Sequence, residues 1–276
     1  MPPLQRAATT KDDARASEAV AAGWIAGAVG QLIGYPLDTL KVRQQLLKSG
    51  PATSLMAGWS GPVLTAGLIN SLNFGTYDAV WRRIGDAETD LECDSRVVFA
   101  AGAAGGVAVS PLTCVVGRVK VLQQSCAFPG RTAYGVVRET VAAGGARSLW
   151  SGYGANLLME ANRGVYMLSF VGAKRALGGR DGPLPLWKRS LAGATAGIFS
   201  WLVIYPVDVV KTIVQSANPS RERLCARHVA ARLLREEGVG RFYRGLAFTV
   251  LRAGPVAGIL LPVFDLTLST LRALRD

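Results

Sequence analysis

Long uncharged stretches alternate with short charged ones along this chain. Four stretches contain no Asp, Glu, Lys or Arg: 19–37, 49–77, 97–117 and 190–207. Two more, 152–172 and 246–271, are apolar but carry two charged residues each. Because about 20 apolar residues cross a bilayer as a helix, the pattern predicts an all-α integral membrane protein with six transmembrane helices.

Three of these stretches contain the same proline motif near their ends, and the prolines are Pro36, Pro111 and Pro206. A second landmark, a glycine, follows each proline at Gly58, Gly152 and Gly245. A further glycine lies nine residues before each proline, at Gly27, Gly102 and Gly197, and landmarks that recur three times in the same order indicate a threefold duplication. The predicted organisation is therefore an N-terminal tail and three tandem repeats, with boundaries at 1–16, 17–85, 94–178 and 186–274.

The repeats also predict local geometry. A proline inside a helix removes one backbone hydrogen bond and bends the helix, so a kink is expected at each of the three prolines. In the first and third repeats, the helix before the proline carries a GxxxG pattern, at Gly23 with Gly27 and at Gly193 with Gly197. Small residues at this spacing predict close helix–helix contacts.

Composition and charge support the membrane prediction. Half of the 276 residues are hydrophobic, only 18% are charged, and the mean hydropathy is +0.26. The net charge of +12 is spread between the uncharged stretches, which favours anionic lipid over nucleic acid as the partner. The four cysteines form no CxxC pair and there is a single histidine, so we expect no metal, no other cofactor and no enzymatic centre.

The motifs at 35–41 and 205–211, each of the form Tyr-Pro-x-Asp-x-x-Lys, resemble the signature of the mitochondrial carrier family. Segments 58–62, 70–77 and 251–256 are similar to the branch that carries carnitine, acylcarnitine and basic amino acids. The resemblance implies a monomeric, multi-pass inner-membrane carrier with six helices around a pseudo-threefold axis and bound cardiolipin. It would move a small charged metabolite by alternating access.

Several alternatives remain open at this point. In the first alternative, the solute is a nucleotide or a different solute that carries a carboxylate. In the second, the chain is a non-transporting receptor or scaffold. A peroxisomal location is a further alternative to the mitochondrion. The sequence does not distinguish exchange from uniport.

Family resemblance implies a matrix gate, in which the acid of one repeat pairs with the base of the next. The gate residues are Asp38, Lys41, Asp208 and Lys211, braced by Gln45 and Gln215. The middle repeat departs from the pattern, because Thr113 and Val116 stand where an acid and a base are expected. We therefore expect one intact pair, Asp208–Lys41, with Arg118 as a partial partner for Asp38, and a weak gate.

A second gate is implied on the cytoplasmic side. Its residues are Tyr77, Asp78, Arg175 and Asp265. Only Arg175 supplies a base at the family's positions, so at most one full ion pair is expected there. This gate is therefore also predicted to be weak, because few ion pairs close it.

The resemblance places the solute contacts at Thr65, Ala66, Met159, Glu160, Arg252 and Ala253. Independently, Glu160, Arg163 and Arg252 are charged near the middle of apolar spans, where charges normally face a cavity. We expect Arg252 to hold a carboxylate and Glu160 to meet an amine or quaternary ammonium. In the alternative interpretation, Glu160 and Arg163 share a helix face and merely pair with each other.

The loops differ among the repeats. Segments 131–143 and 223–236 have the pattern of amphipathic helices, whereas the corresponding loop of the first repeat is shorter, so its helix is expected to be missing or reduced. The turns that follow resemble the family's cardiolipin-binding turns, at Trp150, Gly152, Tyr243, Arg244 and Gly245. Backbone N–H groups at a helix N-terminus suit a phosphate.

Overall fold

The computed structural model describes residues 3–47, 55–84, 95–125, 131–178, 185–218 and 224–252, with six isolated positions beyond. This part of the chain is helical and contains no strand. The helices are α1 (Pro3–Leu46), α2 (Ser60–Ile84), α3 (Ser95–Gln124), α4 (Ala133–Gly144), α5 (Tyr153–Ala161), α6 (Arg163–Ala176), α7 (Leu186–Gln215) and α8 (Ala226–Glu236). Short 3₁₀ turns occupy Ala146–Trp150 and Val239–Tyr243, and residues 246–252 are again helical.

The long helices follow the predicted spans, although not all satisfy a test of length and hydropathy. Among the described residues, two segments are long and apolar enough to cross a membrane: Ser95–Gln124 and Leu191–Gln215. The predicted span 152–172 is interrupted at Asn162, so that α5 and α6 have only 9 and 14 residues. Each of these two helices is shorter than the roughly 20 residues that cross a bilayer.

Each repeat proline lies inside a continuous helix. Pro36 is in α1, Pro111 in α3 and Pro206 in α7. Each helix continues well beyond its proline, which places the charged motif residues inside a helix rather than in a loop. The expected kinks follow from the lost backbone hydrogen bond and stay a prediction.

The two predicted loop helices are confirmed as α4 and α8. Helix α4 begins after Thr132, whose hydroxyl accepts a hydrogen bond from the Gly135 amide, the usual arrangement of a helix N-cap. In the first repeat the described residues between α1 and α2, 55–59, form a turn. Residues 48–54, where a reduced helix would lie, are outside the described part.

Among the described glycines, the closest approaches to the backbone of a neighbouring helix involve α3 of the middle repeat, and not the GxxxG patterns. Gly27 and Gly197 have no heavy atom of the described residues within 4 Å of the position of a Cβ, so the described part of the chain shows no close contact at either. In α3, by contrast, a Cβ on Gly102 would lie 3.0 Å from the Gly164 Cα. A Cβ on Gly106 would collide with the Glu160 carbonyl. The backbones of α3 and the α5–α6 break therefore touch directly.

We expect Gly106→Ala to destabilise the protein, because a methyl group there must displace backbone rather than a flexible side chain. Forced overpacking typically lowers the unfolding free energy by about 1–3 kcal/mol. Gly27→Ala is the matched control in a helix with open space, where alanine should be neutral or stabilising. Thermal unfolding in detergent measures both; equal melting temperatures would contradict the direct backbone contact.

Candidate functional site

The predicted Lys41–Asp208 ion pair is present, and we call it the first of three joints of the predicted matrix gate. Lys41 Nζ lies 2.8 Å from Asp208 Oδ2, and both side chains are buried. Gln45 Nε2 donates to the same carboxylate oxygen at 2.8 Å. The ammonium of Lys41 also lies over the ring of Trp201, 4.6 Å from its centre. A charge pair with a bracing amide thus links α1 to α7.

The second joint is also an ion pair, and here the prediction of a missing partner is wrong. Lys120 Nζ donates to Asp38 Oδ2 at 2.7 Å. Lys120 lies one turn beyond Val116 on the same face of α3, and helical side chains lean towards the N-terminus. Its long side chain therefore reaches back to the level at which the family's base would act.

Arg118, the expected partial partner of Asp38, points elsewhere. Its Nη2 donates to the Ala217 carbonyl at 3.3 Å, near the end of α7, and its side chain is buried there. Arg118 lies two residues from Val116, on another face of the helix. The expectation that it serves Asp38 is therefore wrong.

Arg252 completes the Asp38 cluster. Its Nη1 donates to Asp38 Oδ1 at 2.9 Å, and its Nη2 donates to Gln31 Oε1 at 3.2 Å. Gly34 makes room for this approach, because a Cβ there would lie 2.6 Å from Arg252 Nε. The residue expected to hold solute is thus joined directly to the gate, a link that spacing along the chain does not reveal.

The third joint contains no ion pair among the described residues. Thr113 Oγ1 donates to the Ser110 carbonyl and accepts from Asn156 Nδ2. Lys211 Nζ lies 3.5 Å from Met159 Sδ. Gln215 Nε2 donates to the Cys114 carbonyl at 3.4 Å. The described residues thus hold ion pairs at two of the three predicted gate positions, Lys41–Asp208 and Lys120–Asp38, where one was expected.

Two cavities lie beside these joints and share Met159 and Trp201. The first, which we call the gate cavity, has a volume of about 220 Å³. It is lined by charged residues of all three joints: Asp38, Lys41, Lys120, Asp208, Lys211 and Arg252. The second, the Glu160 cavity, has a volume of about 270 Å³ and lies between α5, α6 and α7. Glu160 and Arg163 are in its wall.

Glu160 and Arg163 pair with each other, as the alternative interpretation anticipated. Arg163 Nε lies 2.9 Å from Glu160 Oε2. The pair flanks the helix break at Asn162, whose Nδ2 donates to Ser200 Oγ at 2.6 Å. The Glu160 side chain is 11% exposed and that of Arg163 is 36% exposed. The carboxylate is therefore largely buried in the wall, whereas the guanidinium is partly open to solvent.

The remaining predicted contacts lie apart from these cavities or outside the described residues. Thr65 Oγ1 donates to the Gly61 carbonyl on its own helix, and neither Thr65 nor its neighbour Ala66 lines either cavity. Ala253 is not described. The contact predicted on α2 is therefore not brought together with the other two in this conformation.

The cytoplasmic gate is only partly visible. Tyr77 stacks on Trp81, with ring centres 5.6 Å apart, and Arg175 lies in the last turn of α6. The side chain of Asp78 and the whole of Asp265 are outside the described residues. The predicted pairing of Arg175 with either aspartate thus stays a prediction.

Both predicted lipid turns precede helices and contain a left-handed glycine. Gly152 has φ 79° and caps α5, and Gly245 has φ 94° just before residues 246–252. Trp150 is 42% exposed. Tyr243 stacks on Tyr205 at 6.4 Å. In both turns the backbone geometry leaves N–H groups at a helix start, which is the chemistry that a phosphate requires.

The comparisons agree with this geometry. The family described as "Mitochondrial carrier protein" matches residues 12–55, 95–181 and 182–273. Similar proteins include the mitochondrial basic amino acids transporter of Bos taurus, 34% identical over 91% of both chains. The Homo sapiens protein of the same name is 35% identical, over 85% of this chain and 84% of its own.

More distant matches have other solutes in their names. The mitochondrial arginine transporter BAC2 of Arabidopsis thaliana is 31% identical, over 91% of this chain and 90% of its own. The mitochondrial glycine transporter YMC1 of Saccharomyces cerevisiae is 28% identical, over 94% and 93%. With the paired gate acids, the in-helix prolines and the three matched segments, this chain belongs to the mitochondrial carrier family and is a multi-pass solute carrier of the mitochondrial inner membrane.

Proposed function

We propose that this carrier moves a small amino acid with a positively charged side chain. Three of the similar proteins are named as transporters of basic amino acids or of arginine. Six helices in three repeats, bounded at 17–85, 94–178 and 186–274, would surround a central path and open it alternately to each side. The protein acts as a monomer in this proposal.

The observation that carries the proposal is the placement of Glu160. Among the described residues its carboxylate forms an ion pair with Arg163 in the wall of the Glu160 cavity, and the Arg163 side chain is partly exposed. A guanidinium or ammonium of the solute can replace Arg163 at the carboxylate while Arg163 turns to water. Exchange of one cation for another leaves no buried charge unpaired, so the step is not opposed by desolvation of a lone carboxylate.

Arg252 is the second proposed solute contact. It belongs to the wall of the gate cavity and is tied to Asp38 in this conformation. A solute that draws Arg252 away would weaken the Asp38 cluster and so favour opening of the matrix gate. Coupling between binding and opening requires such a differential contact between the two states.

A neutral amino acid is the second candidate solute. The Glu160–Arg163 pair satisfies both charges within the protein, which is what a carrier of an uncharged side chain needs. The similarity to a transporter named for glycine points the same way. Carnitine, which the sequence resemblance also implied, is a third solute to compare with these two.

Cardiolipin is proposed to bind the turns at Trp150–Gly152 and Tyr243–Gly245. The support is the pair of left-handed glycines that precede helices and the exposed indole of Trp150 beside the first of them. Amphipathic indole and phenol rings are favoured at the headgroup level of a membrane. The lipid would stabilise the native fold without entering the transport step.

Glu160→Gln is expected to reduce uptake of arginine and lysine by about tenfold or more, since a hydrogen bond to a charged group contributes about 1.5–3 kcal/mol. Uptake of glycine should change much less. Both are measured as solute-dependent uptake into cardiolipin-containing proteoliposomes. Glu236→Gln, at an exposed acid of α8, is the matched control.

Three outcomes of the same assay separate the candidates. Equal loss of arginine and glycine uptake in Glu160→Gln would contradict a specific role in holding the cationic side chain. Uptake of glycine or carnitine but not of arginine by the parental protein would replace the proposed solute. No uptake of any solute, with a folded protein, would support the non-transporting alternative.

A further inference from the structure

Lys211 is a buried lysine whose ammonium lies within 4.0 Å of no acidic oxygen among the described residues, although Asp208 and Glu160 attract it from farther away. It is 9% exposed and lies in the wall of the gate cavity. Its ammonium lies 3.5 Å from the Met159 sulfur, which is a weak acceptor. Thr113, at the position of the expected acid, has no charge to offer.

The neighbouring acids are already occupied. Asp208 accepts from Lys41 and Gln45. Asp38 is shared by Lys120 and Arg252, and Glu160 is held by Arg163. The gate cavity is therefore lined by four cations and two acids. A buried ammonium without a direct ion pair is incompletely compensated, and the excess of cations over acids in this wall favours binding of an anion.

We infer that Lys211 binds the carboxylate of the transported amino acid in this conformation, in place of the acid that the middle repeat lacks. The inference rests on the proposed function and adds to it the residue that holds the solute's negative end. Arg252 would have to be drawn away from Asp38 before it could do the same. Lys211 needs no such exchange. Met159 lines both cavities, so Lys211 and Glu160 can hold opposite ends of one amino acid.

Gly117 offers a direct way to neutralise Lys211 from within the protein. A Cβ on Gly117 would lie 3.8 Å from Lys211 Nζ and 3.6 Å from Gln215 Oε1, which is ordinary contact. An aspartate there would therefore place its carboxylate on the ammonium. Gly117→Asn is the matched control, because it has the same shape without the charge. Lys211→Gln removes the cation itself and is the second, independent variant.

The experiment compares a solute with its carboxyl-blocked form. Arginine and argininamide, and glycine and glycinamide, are titrated against each purified carrier by thermal shift and by competition for uptake. We expect the parental protein and Gly117→Asn to bind the free carboxylate form at least tenfold more tightly than the amide. In Gly117→Asp and Lys211→Gln this preference should fall to near one.

The outcomes keep this inference distinct from the proposed function. If glycine binds and arginine does not, the cationic solute is wrong, and the carboxylate preference is then measured with the glycine pair. A parental protein that binds acid and amide equally, or a preference unchanged in Lys211→Gln, overturns the role of Lys211. Inorganic phosphate is tested alongside; stronger stabilisation by phosphate than by any amino acid would show that Lys211 serves a free anion and not the solute.

Discussion

Asp38→Asn is expected to abolish uptake and to lower the melting temperature more than any other single change at the gate. The carboxylate of Asp38 holds Lys120 at 2.7 Å and Arg252 at 2.9 Å. An amide leaves two partly buried cations facing each other without an anion. Breaking a buried pair by removal of one partner typically lowers stability by about 3–5 kcal/mol, and here one acid serves two bases. Thermal unfolding and proteoliposome uptake measure the two effects.

A paired variant tests whether Lys120 acts for the missing base at position 116. Lys120→Gln alone should weaken the gate, because Asp38 then retains only Arg252. Adding Val116→Lys restores a base at the family's usual position and should recover a large part of both stability and uptake. Glu139→Gln, on the amphipathic helix α4, is the control at a more exposed acid. If the double variant is no more stable and transports no faster than Lys120→Gln, Lys120 does not act for the missing base at position 116.

Reversal of charge at the first joint is expected to be the second largest effect. Lys41→Asp places two acids together at Asp208, and Asp208→Lys places two bases together at Lys41, so either change should stop transport. Like charges at such a distance in a poorly solvated site repel strongly. The double reversal rebuilds the pair in the opposite sense and should regain measurable uptake.

The double reversal has a limit that the structure explains. Gln45 donates to the carboxylate at position 208, and Lys41 lies over the Trp201 ring, so neither environment matches the swapped charges. Recovery is therefore expected to be partial. A double variant that transports no better than either single variant would show that the Lys41–Asp208 pair is not part of the gate.

Residues related by the threefold repeat could be predicted from the sequence. Asp208–Lys41 is an example: both residues belong to intact copies of one motif, and the resemblance to the family implied that the acid of one copy pairs with the base of another. The in-helix prolines and the loop helices α4 and α8 follow from the same kind of argument. Local patterns of 3.6-residue period and recurring landmarks determine the repeated prolines and the loop helices without knowledge of how the helices pack.

Contacts between non-equivalent positions were decided only by the tertiary structure. The partner of Asp38 proved to be Lys120 and not Arg118. Arg118 is nearer to position 116 along the chain, but Lys120 lies on the same helix face as that position and has a side chain long enough to reach Asp38. The Arg252–Asp38 bond joins residues 214 positions apart that no motif relates. The sequence predicted close contacts at the GxxxG helices. The structure instead places one at Gly106, where the Glu160 backbone, next to the break at Asn162, lies against α3. Spacing along a helix determines which residues share a face, whereas the packing of one helix on another determines which atoms on those faces meet.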